Sequence, residues 1–211
     1  ILEIIVQQFL SLGFNNFYFC VNYKAEMIED YFKNGSHLGA KIQYVREPEN
    51  FGTAGALALL PEIPDKPFIV MNGDLLTKMN FAHFIQFHME RRTLASMCVK
   101  EYDMQIPYGV VPTELDRIKL IEEKPVRSFF VNAGIYCLNP EALSLIPKGK
   151  YFDMPGLFQS LINKKMLTTV FPVHEFWLDI GQPHDLARAN NEYKELFYDE
   201  DSRHDSSQRR Q

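Results

Sequence analysis

Apolar and polar residues follow two different periods along the chain, and each period predicts a different kind of element. Runs with apolar positions three or four residues apart, such as ILEIIVQQFLSLGF at the start, predict helices. Short runs rich in β-branched and aromatic residues, such as NFYFCVNY, predict strands. Gly13 and Gly35 mark helix ends, Pro48 closes a strand, and Asn80 is suited to cap the helix FAHFIQFHMERR.

These elements alternate regularly from strand to helix up to Tyr102. The alternation predicts an α/β fold of Rossmann-like type, with a mostly parallel mixed sheet and helices on both faces. Beyond Tyr102, short extended runs separated by turn residues predict a small antiparallel subregion. Helices are then predicted for PEALSLI, PGLFQSLINKK and PHDLARANNEYKELF, with the extended run LTTVFPVHEFWLDIG before the last. We expect one domain over residues 1–197 and a disordered tail over residues 198–211.

Composition narrows the class of protein without identifying a function. The 211 residues are 46% hydrophobic and 23% charged, which is enough for one sizeable core. A formal net charge of −5 without any basic run argues against nucleic-acid binding. No apolar stretch reaches the length of a membrane span, and three scattered cysteines without a C-x-x-C pair are typical of reduced thiols. We therefore expect a cytoplasmic protein that binds neither nucleic acid nor membrane.

Two carboxylates follow predicted strands at distant points of the chain. Asp74 ends the run FIVMNGD, and Asp179 ends the similar run FWLD. Ligands of open α/β sheets sit beyond the carboxyl ends of the strands, where both acids would lie. Either acid alone is more often a turn or capping residue. If the fold brings the two together they would repel each other unless a divalent cation lay between them, and Mg²⁺ suits that role.

A glycine-containing stretch, PENFGTAGALALL, lies where a strand turns into a helix. Gly52, Thr53 and Gly55 could offer free backbone amides that approach a ligand closely. The chain has neither a G-x-G-x-x-G fingerprint nor a P-loop, which argues against a Rossmann oxidoreductase and against a P-loop enzyme.

The stretch IEEKP, residues 121–125, carries two charged side chains of interest. Glu123 could bind sugar hydroxyls and Lys124 could place a point charge on a phosphate, although such runs beside a proline are usually solvated loops. The chain lacks a G-x-S-x-G elbow and any metal-ligand spacing of histidines. Chemistry without an obvious general base suits a phosphate nucleophile, which is largely ionised near neutral pH.

Taken together, the chain resembles the sugar-1-phosphate nucleotidyltransferases, also called nucleotide-sugar pyrophosphorylases. The resemblance covers most of the chain and is carried by six motifs in family order: GTAGAL, VMNGD, PYGVV, EEKP, NAGIY and WLDIG. Longer runs such as VNYKAEMIEDYF and FFVNAGIYCLNPE are most similar to the bacterial branch whose catalytic domain often follows a pair of CBS domains. The fold implied is that of the nucleotide-diphospho-sugar transferases, with the antiparallel subregion binding the sugar.

The resemblance also implies a reaction and its site residues. A nucleoside triphosphate and a hexose-1-phosphate would give an NDP-sugar, used for cell-surface glycan or sugar precursor synthesis, plus pyrophosphate, with Mg²⁺ as cofactor; a homo-oligomer is compatible with this. Asp74 and Asp179 would hold the metal, and Lys124 the sugar phosphate. The remaining implied positions serve the sugar (Tyr108, Gly109, Glu123 and Asn132) or the base (Gly52 and Thr53).

Glu47 permits an inference about the base. Five residues before Gly52, many uridylyl- and thymidylyltransferases of the family carry Gln, whose amide can both donate and accept. A carboxylate only accepts, and guanine offers two adjacent donors. We therefore expect GTP as the nucleotide. The alternative is a solvent-facing Glu47 beside Arg46, with no role in base choice.

One departure from the family matters. The family opens with a strand and a Gly-rich loop that carries a catalytic Arg, whereas this chain begins with the helix that normally follows them. We expect two strands to be left with unpaired edges, and the chain to be inactive or part of a longer protein. The alternative function is a non-catalytic nucleotide-sugar-binding or regulatory subunit of the same fold.

Overall fold

A computed structural model describes residues 1–181, which contain five α-helices and ten strands. The helices are α1 (Leu2–Ser11), α2 (Ala25–Phe32), α3 (Gly52–Gly55), α4 (Phe81–Arg91) and α5 (Met154–Asn163). The strands are β1 (Asn16–Val21), β2 (Lys41–Arg46), β3 (Phe68–Met71), β4 (Leu75–Thr77), β5 (Ala95–Gln105), β6 (Thr113–Glu114), β7 (Arg117–Ile118), β8 (Val126–Leu138), β9 (Thr168–Pro172) and β10 (Trp177–Asp179). The predicted last helix and the predicted tail lie outside the described residues.

The largest sheet has the strand order β3-β8-β5-β9. Strands β3, β5 and β9 run in one direction, and β8 lies antiparallel between β3 and β5. The predicted mostly parallel direction is therefore confirmed for this sheet, with β8 as the exception. Two further antiparallel pairs join β4 to β10 and β6 to β7.

Helices pack on both faces of this sheet, as predicted. Alternation along β5 sends Cys98 into one apolar cluster, with Phe84 of α4, and Ala95 into another, with Leu157 of α5. The N-terminus of α4 is capped as expected, because the Asn80 carboxamide oxygen accepts from the amide of His83 at 3.0 Å. The run PEALSLI, predicted as a helix, is instead a six-residue 3₁₀ segment, so that prediction is wrong in type.

Strands β1 and β2 form a separate parallel pair. Within the described residues, β1 pairs only with β2 and β3 pairs only with β8, which confirms the expectation of two unpaired strand edges. Every residue of β3 is half-buried, whereas its apolar run predicts a buried strand. Helix α1 holds the two blocks together, because Leu2 contacts the apolar clusters on both sides and Gly73 lies beside it.

Strands β5 and β8 extend beyond the core as a two-stranded ribbon, formed by residues 100–105 and 126–131. A bulge between Met97 and Val99 marks the point where the ribbon leaves the core. The β6-β7 hairpin and a paired bridge between Val110 and Glu122 continue beyond it. This is the predicted antiparallel subregion. None of the described helices combines the length and the apolar character that a membrane span requires.

Candidate functional site

The structure brings Asp74 and Asp179 to neighbouring strands. Strands β4 and β10 pair antiparallel, so that Asp179 lies opposite Leu75, the residue that follows Asp74. The amide of Ile180 donates to the backbone carbonyl of Asp74 at 3.0 Å. Both acids are exposed at the surface. The two carboxylates, far apart in sequence, therefore share one corner of the fold.

This donor set fits a magnesium ion. Mg²⁺ in substrate-phosphate sites is held by one or two carboxylates and completes its shell with water and phosphate oxygens. Within the described residues, no group of three or more His, Cys, Asp or Glu side chains could hold a metal ion. Two exposed carboxylates on adjacent strands are therefore suited to a metal that arrives with a phosphate ligand.

A small cavity of about 70 Å³ opens beside these strands. That volume admits a few water molecules or one small polar group, so it is the floor of a binding site and not the whole of it. Its wall combines amide, phenol and carboxylate groups with the edge of an indole. The lining residues are Asn72, Leu75, Asn132, Ala133, Gly134, Tyr136, Trp177 and Asp179.

Close backbone contacts shape the floor of this cavity. The amide of Asn72 donates to the carbonyl of Gly134 at 3.0 Å. Gly134 has a φ of +70°, and a Cβ added there would lie 2.9 Å from Nδ2 of Asn72 and 3.1 Å from Cδ1 of Leu75. Only glycine combines this backbone conformation with so little room. Trp177 joins β10 to β8 from the other side, because its Nε1 donates to the carbonyl of Ala133 at 2.9 Å.

Asn132, predicted to bind the sugar, lies at this floor. Its Oδ1 accepts from the amide of Gly134 at 3.0 Å, and its Nδ2 donates to the hydroxyl of Tyr136 at 2.7 Å. Burial raises the pKa of Tyr136, and the bond from Asn132 partly offsets that rise, so the phenol stays neutral at physiological pH. Asn132 thus fixes the loop through one lone pair and one N–H, and the second of each remains for a ligand.

The other predicted sugar-side residues gather at the far end of the ribbon. Val110 and Glu122 exchange backbone hydrogen bonds of 2.8 and 2.9 Å, which sets PYGVV against EEKP. A Cβ added at Gly109 would lie 3.2 Å from Oε2 of Glu123. Tyr108 is 75% exposed, and Lys124 is exposed with a φ of +45°. The structure brings these four positions together, but none of them lines the 70 Å³ cavity.

The glycine-containing stretch differs from the expectation of free amides. The amide of Gly52 donates to Oδ1 of Asn50 at 2.9 Å, and the amide of Gly55 donates to the carbonyl of Phe152 at 2.8 Å. The hydroxyl of Thr53 accepts from the amide of Met154 at 2.9 Å. The prediction of free amides is therefore wrong for Gly52 and Gly55, because these groups fasten the short helix α3 to the segment before α5.

Glu47 has a structural role that the sequence did not indicate. The side chain is half-buried, and its Oε2 accepts from the amide of Phe51 at 2.9 Å. Arg46 pairs with Glu29 at 2.6 Å, so the alternative of a solvent-facing Glu47 beside Arg46 is not what the structure shows. Glu47 closes the turn that leads into Gly52, and it presents its second carboxylate oxygen in the same place.

Sequence reasoning missed four residues of the cavity wall as site residues: Asn72, Gly134, Tyr136 and Trp177. All four belong to motifs that carried the resemblance, namely VMNGD, NAGIY and WLDIG. The signal was present, but only the charged residue or the amide ligand of each motif was selected. Their neighbours shape the site by packing and backbone hydrogen bonds.

Comparison with known proteins identifies the family and the fold. Residues 1–195 match the family described as Nucleotidyl transferase. Mannose-1-phosphate guanyltransferase 2 of Candida glabrata is 32% identical over 198 residues, which cover 89% of this chain and 54% of that protein. UTP–glucose-1-phosphate uridylyltransferase of Synechocystis sp. is 29% identical over 209 residues, which cover 90% of this chain and 54% of that protein.

A solved structure has the same fold. HddC from Yersinia pseudotuberculosis, complexed with GMP-PN, superposes with a TM-score of 0.70 at 23% sequence identity, over 92% of this chain and 85% of that one. The chain spans about half the length of the curated relatives it matches. Since the family match extends over most of its length, the chain belongs to the nucleotidyl transferase family.

Proposed function

We propose that the protein containing this chain transfers a guanylyl group from GTP to a hexose-1-phosphate, with mannose-1-phosphate the first substrate to test. The products would be a GDP-sugar, a precursor for cell-surface glycans, and pyrophosphate. The observation that carries the proposal is the meeting of Asp74 and Asp179 on β4 and β10. Family membership and the relative named as a mannose-1-phosphate guanyltransferase support it.

In the proposed reaction, an oxygen of the sugar phosphate attacks the α-phosphorus of the triphosphate. A new phosphorus–oxygen bond forms as the bond to pyrophosphate breaks, and the leaving pyrophosphate takes the electron pair. Because the attacking phosphate is already ionised, the protein needs no general base. Its residues position the two substrates and screen their charges.

Each part of the site would hold one group. Asp74 and Asp179 would hold Mg²⁺, which when bound neutralises charge that develops on the phosphates. Lys124 would place its ammonium on the sugar phosphate. Glu123 would accept hydrogen bonds from sugar hydroxyls, beside the backbone of Gly109.

A matrix of substrates tests the proposal. We expect pyrophosphate release from the full-length protein to be fastest with GTP and mannose-1-phosphate, and to require Mg²⁺. UTP, dTTP and ATP, each paired with mannose-, glucose- and glucosamine-1-phosphate, complete the matrix. A clear preference for UTP or dTTP would contradict the guanine assignment. Saturable nucleotide-sugar binding without release under every condition would instead favour a non-catalytic binding subunit.

Glu47 is proposed to select the base through its carboxylate. The substitution Glu47→Gln replaces one acceptor oxygen with a donor, so it should reduce the preference for GTP over UTP by roughly one order of magnitude. The matched control is Glu49→Gln, an exposed neighbour with the same change of charge. Because Glu47 also accepts from the amide of Phe51, the readout is the ratio of the two kcat/KM values. An unchanged ratio would remove Glu47 from base selection.

A further inference from the structure

One face of the ribbon presents apolar side chains to solvent. Across the regular antiparallel register, Tyr102 lies opposite Phe129 and Met104 lies opposite Arg127, so these side chains share a face. The exposed fractions are 58% for Tyr102, 54% for Met104 and 54% for Phe129. We name Tyr102, Met104 and Phe129 the ribbon patch. Within the described residues, all three remain open to solvent.

The two faces of the ribbon differ in charge. The only cations on the face of the ribbon patch are already engaged: Lys100 donates to three backbone carbonyls, and Arg127 pairs with Glu122 at 2.6 Å. The opposite face carries Glu101 and Asp103, which sit opposite Phe130 and Ser128. Two copies of the first face can therefore meet without charge repulsion, whereas two copies of the second would bring carboxylates together.

A two-stranded ribbon with solvent on both faces is marginally stable by itself, and exposed apolar patches commonly mark interaction sites. From the patch and its charge balance, we propose that a second copy of this chain covers the ribbon patch. The two ribbons would meet face to face about a two-fold axis parallel to their strands. This arrangement sets Tyr102 of each copy against Phe129 of the other, so one contact is made twice.

The proposed contact would also stiffen the path to Gly109 and Glu123, since both lie beyond the ribbon's far end. The inference concerns the assembly and stands without the proposed reaction. It therefore fails or succeeds on the state of association alone.

Sedimentation equilibrium on the full-length protein tests the second copy. We expect a dimer that Phe129→Lys weakens at least tenfold in dissociation constant, because a charge would enter the apolar contact. Phe130→Lys is the matched control, since Phe130 is adjacent, 61% exposed and on the opposite face, and it should leave the dimer intact. Circular dichroism confirms that both variants fold.

Mixing complementary variants sharpens the test. Tyr102→Glu copies and Phe129→Lys copies should each be monomeric, and their mixture should form heterodimers, because one of the two symmetric contacts gains opposite charges. A monomeric wild-type protein, a dimer that Phe129→Lys leaves unchanged, or a mixture that stays monomeric would overturn the proposal. A monomer whose thermal unfolding midpoint falls with Phe129→Lys but not with Phe130→Lys would show that the protein's own chain covers the patch, which also overturns it.

Discussion

The corner that holds Asp74 and Asp179 and the ribbon that leads to Glu123 are two halves of one candidate site, built in different ways. At the corner, Leu75 and Ala133 are fully buried, and backbone hydrogen bonds tie β4, β8 and β10 to their neighbours. Along the ribbon, every position from 101 to 105 and from 126 to 130 is exposed. The core therefore fixes the acids, whereas the sugar-side groups depend on how the ribbon is oriented.

The largest effect is expected at the corner. Asp74→Asn and Asp179→Asn should each reduce Mg²⁺-dependent turnover of the full-length protein by about a hundredfold or more, because each removes a charge that faces the developing phosphate charge. Both acids are exposed, so the free energy of unfolding should change far less than turnover does. Pyrophosphate release and chemical denaturation measure the two quantities.

Asp116→Asn is the matched control for these variants. Asp116 is an exposed acid in the turn between β6 and β7, and the same loss of charge there should leave turnover within about twofold. If both corner variants kept the wild-type rate, the metal assignment would be wrong, whatever the ribbon does.

The next effect concerns the packing that makes the corner rigid. Gly134→Ala should lower the free energy of unfolding by several kcal/mol, since the left-handed backbone alone costs about 1–2 kcal/mol and the new Cβ would also collide with Asn72 and Leu75. Gly149→Ala separates the two contributions, because Gly149 has a φ of +64° and open space around the added Cβ. Equal losses in the two variants, measured by urea denaturation, would show that the corner is looser than its contacts indicate.

The acids were predictable because the relevant pattern is local. An apolar run that ends in Asp marks the carboxyl end of a strand, and sheet topology then places such ends together. The contacts around Gly134 were not predictable in this way. They join β8 to the segment after β3, and a glycine in NAGIY reveals a positive φ only when its neighbours in space are known.

Two misreadings have the same physical origin. Glu47 was assigned to ligand recognition from its position in the family pattern, yet its nearest partner is the backbone four residues ahead. Gly52 was assigned free amides, yet Asn50 caps it from two residues before. Short polar side chains bond to nearby backbone before they can serve a ligand, and residue type alone does not show that competition.

Lys100 joins the two regions compared above, and the smallest of the expected effects falls there. The residue lies on β5 where the ribbon begins, and its Nζ donates to the carbonyls of Val173, His174 and Glu175 at 3.1, 3.3 and 3.0 Å. That segment leads directly into β10, which carries Trp177 and Asp179. Lys100 is thus a positioning residue that ties the ribbon's base to the strand of the second acid.

Lys100→Met should therefore lower the free energy of unfolding by about 1–3 kcal/mol, the range for hydrogen bonds to a charged group. Trp177 is the chain's single tryptophan, so its fluorescence reports on the same segment, and its emission should move to longer wavelength as β10 loosens. Lys100→Arg keeps the charge and should restore much of both signals. Lys119→Met, which breaks an exposed pair with Glu114 at 3.2 Å, should change neither. A Lys100→Met protein with wild-type emission would mean that the corner holds Asp179 in place without any help from the ribbon.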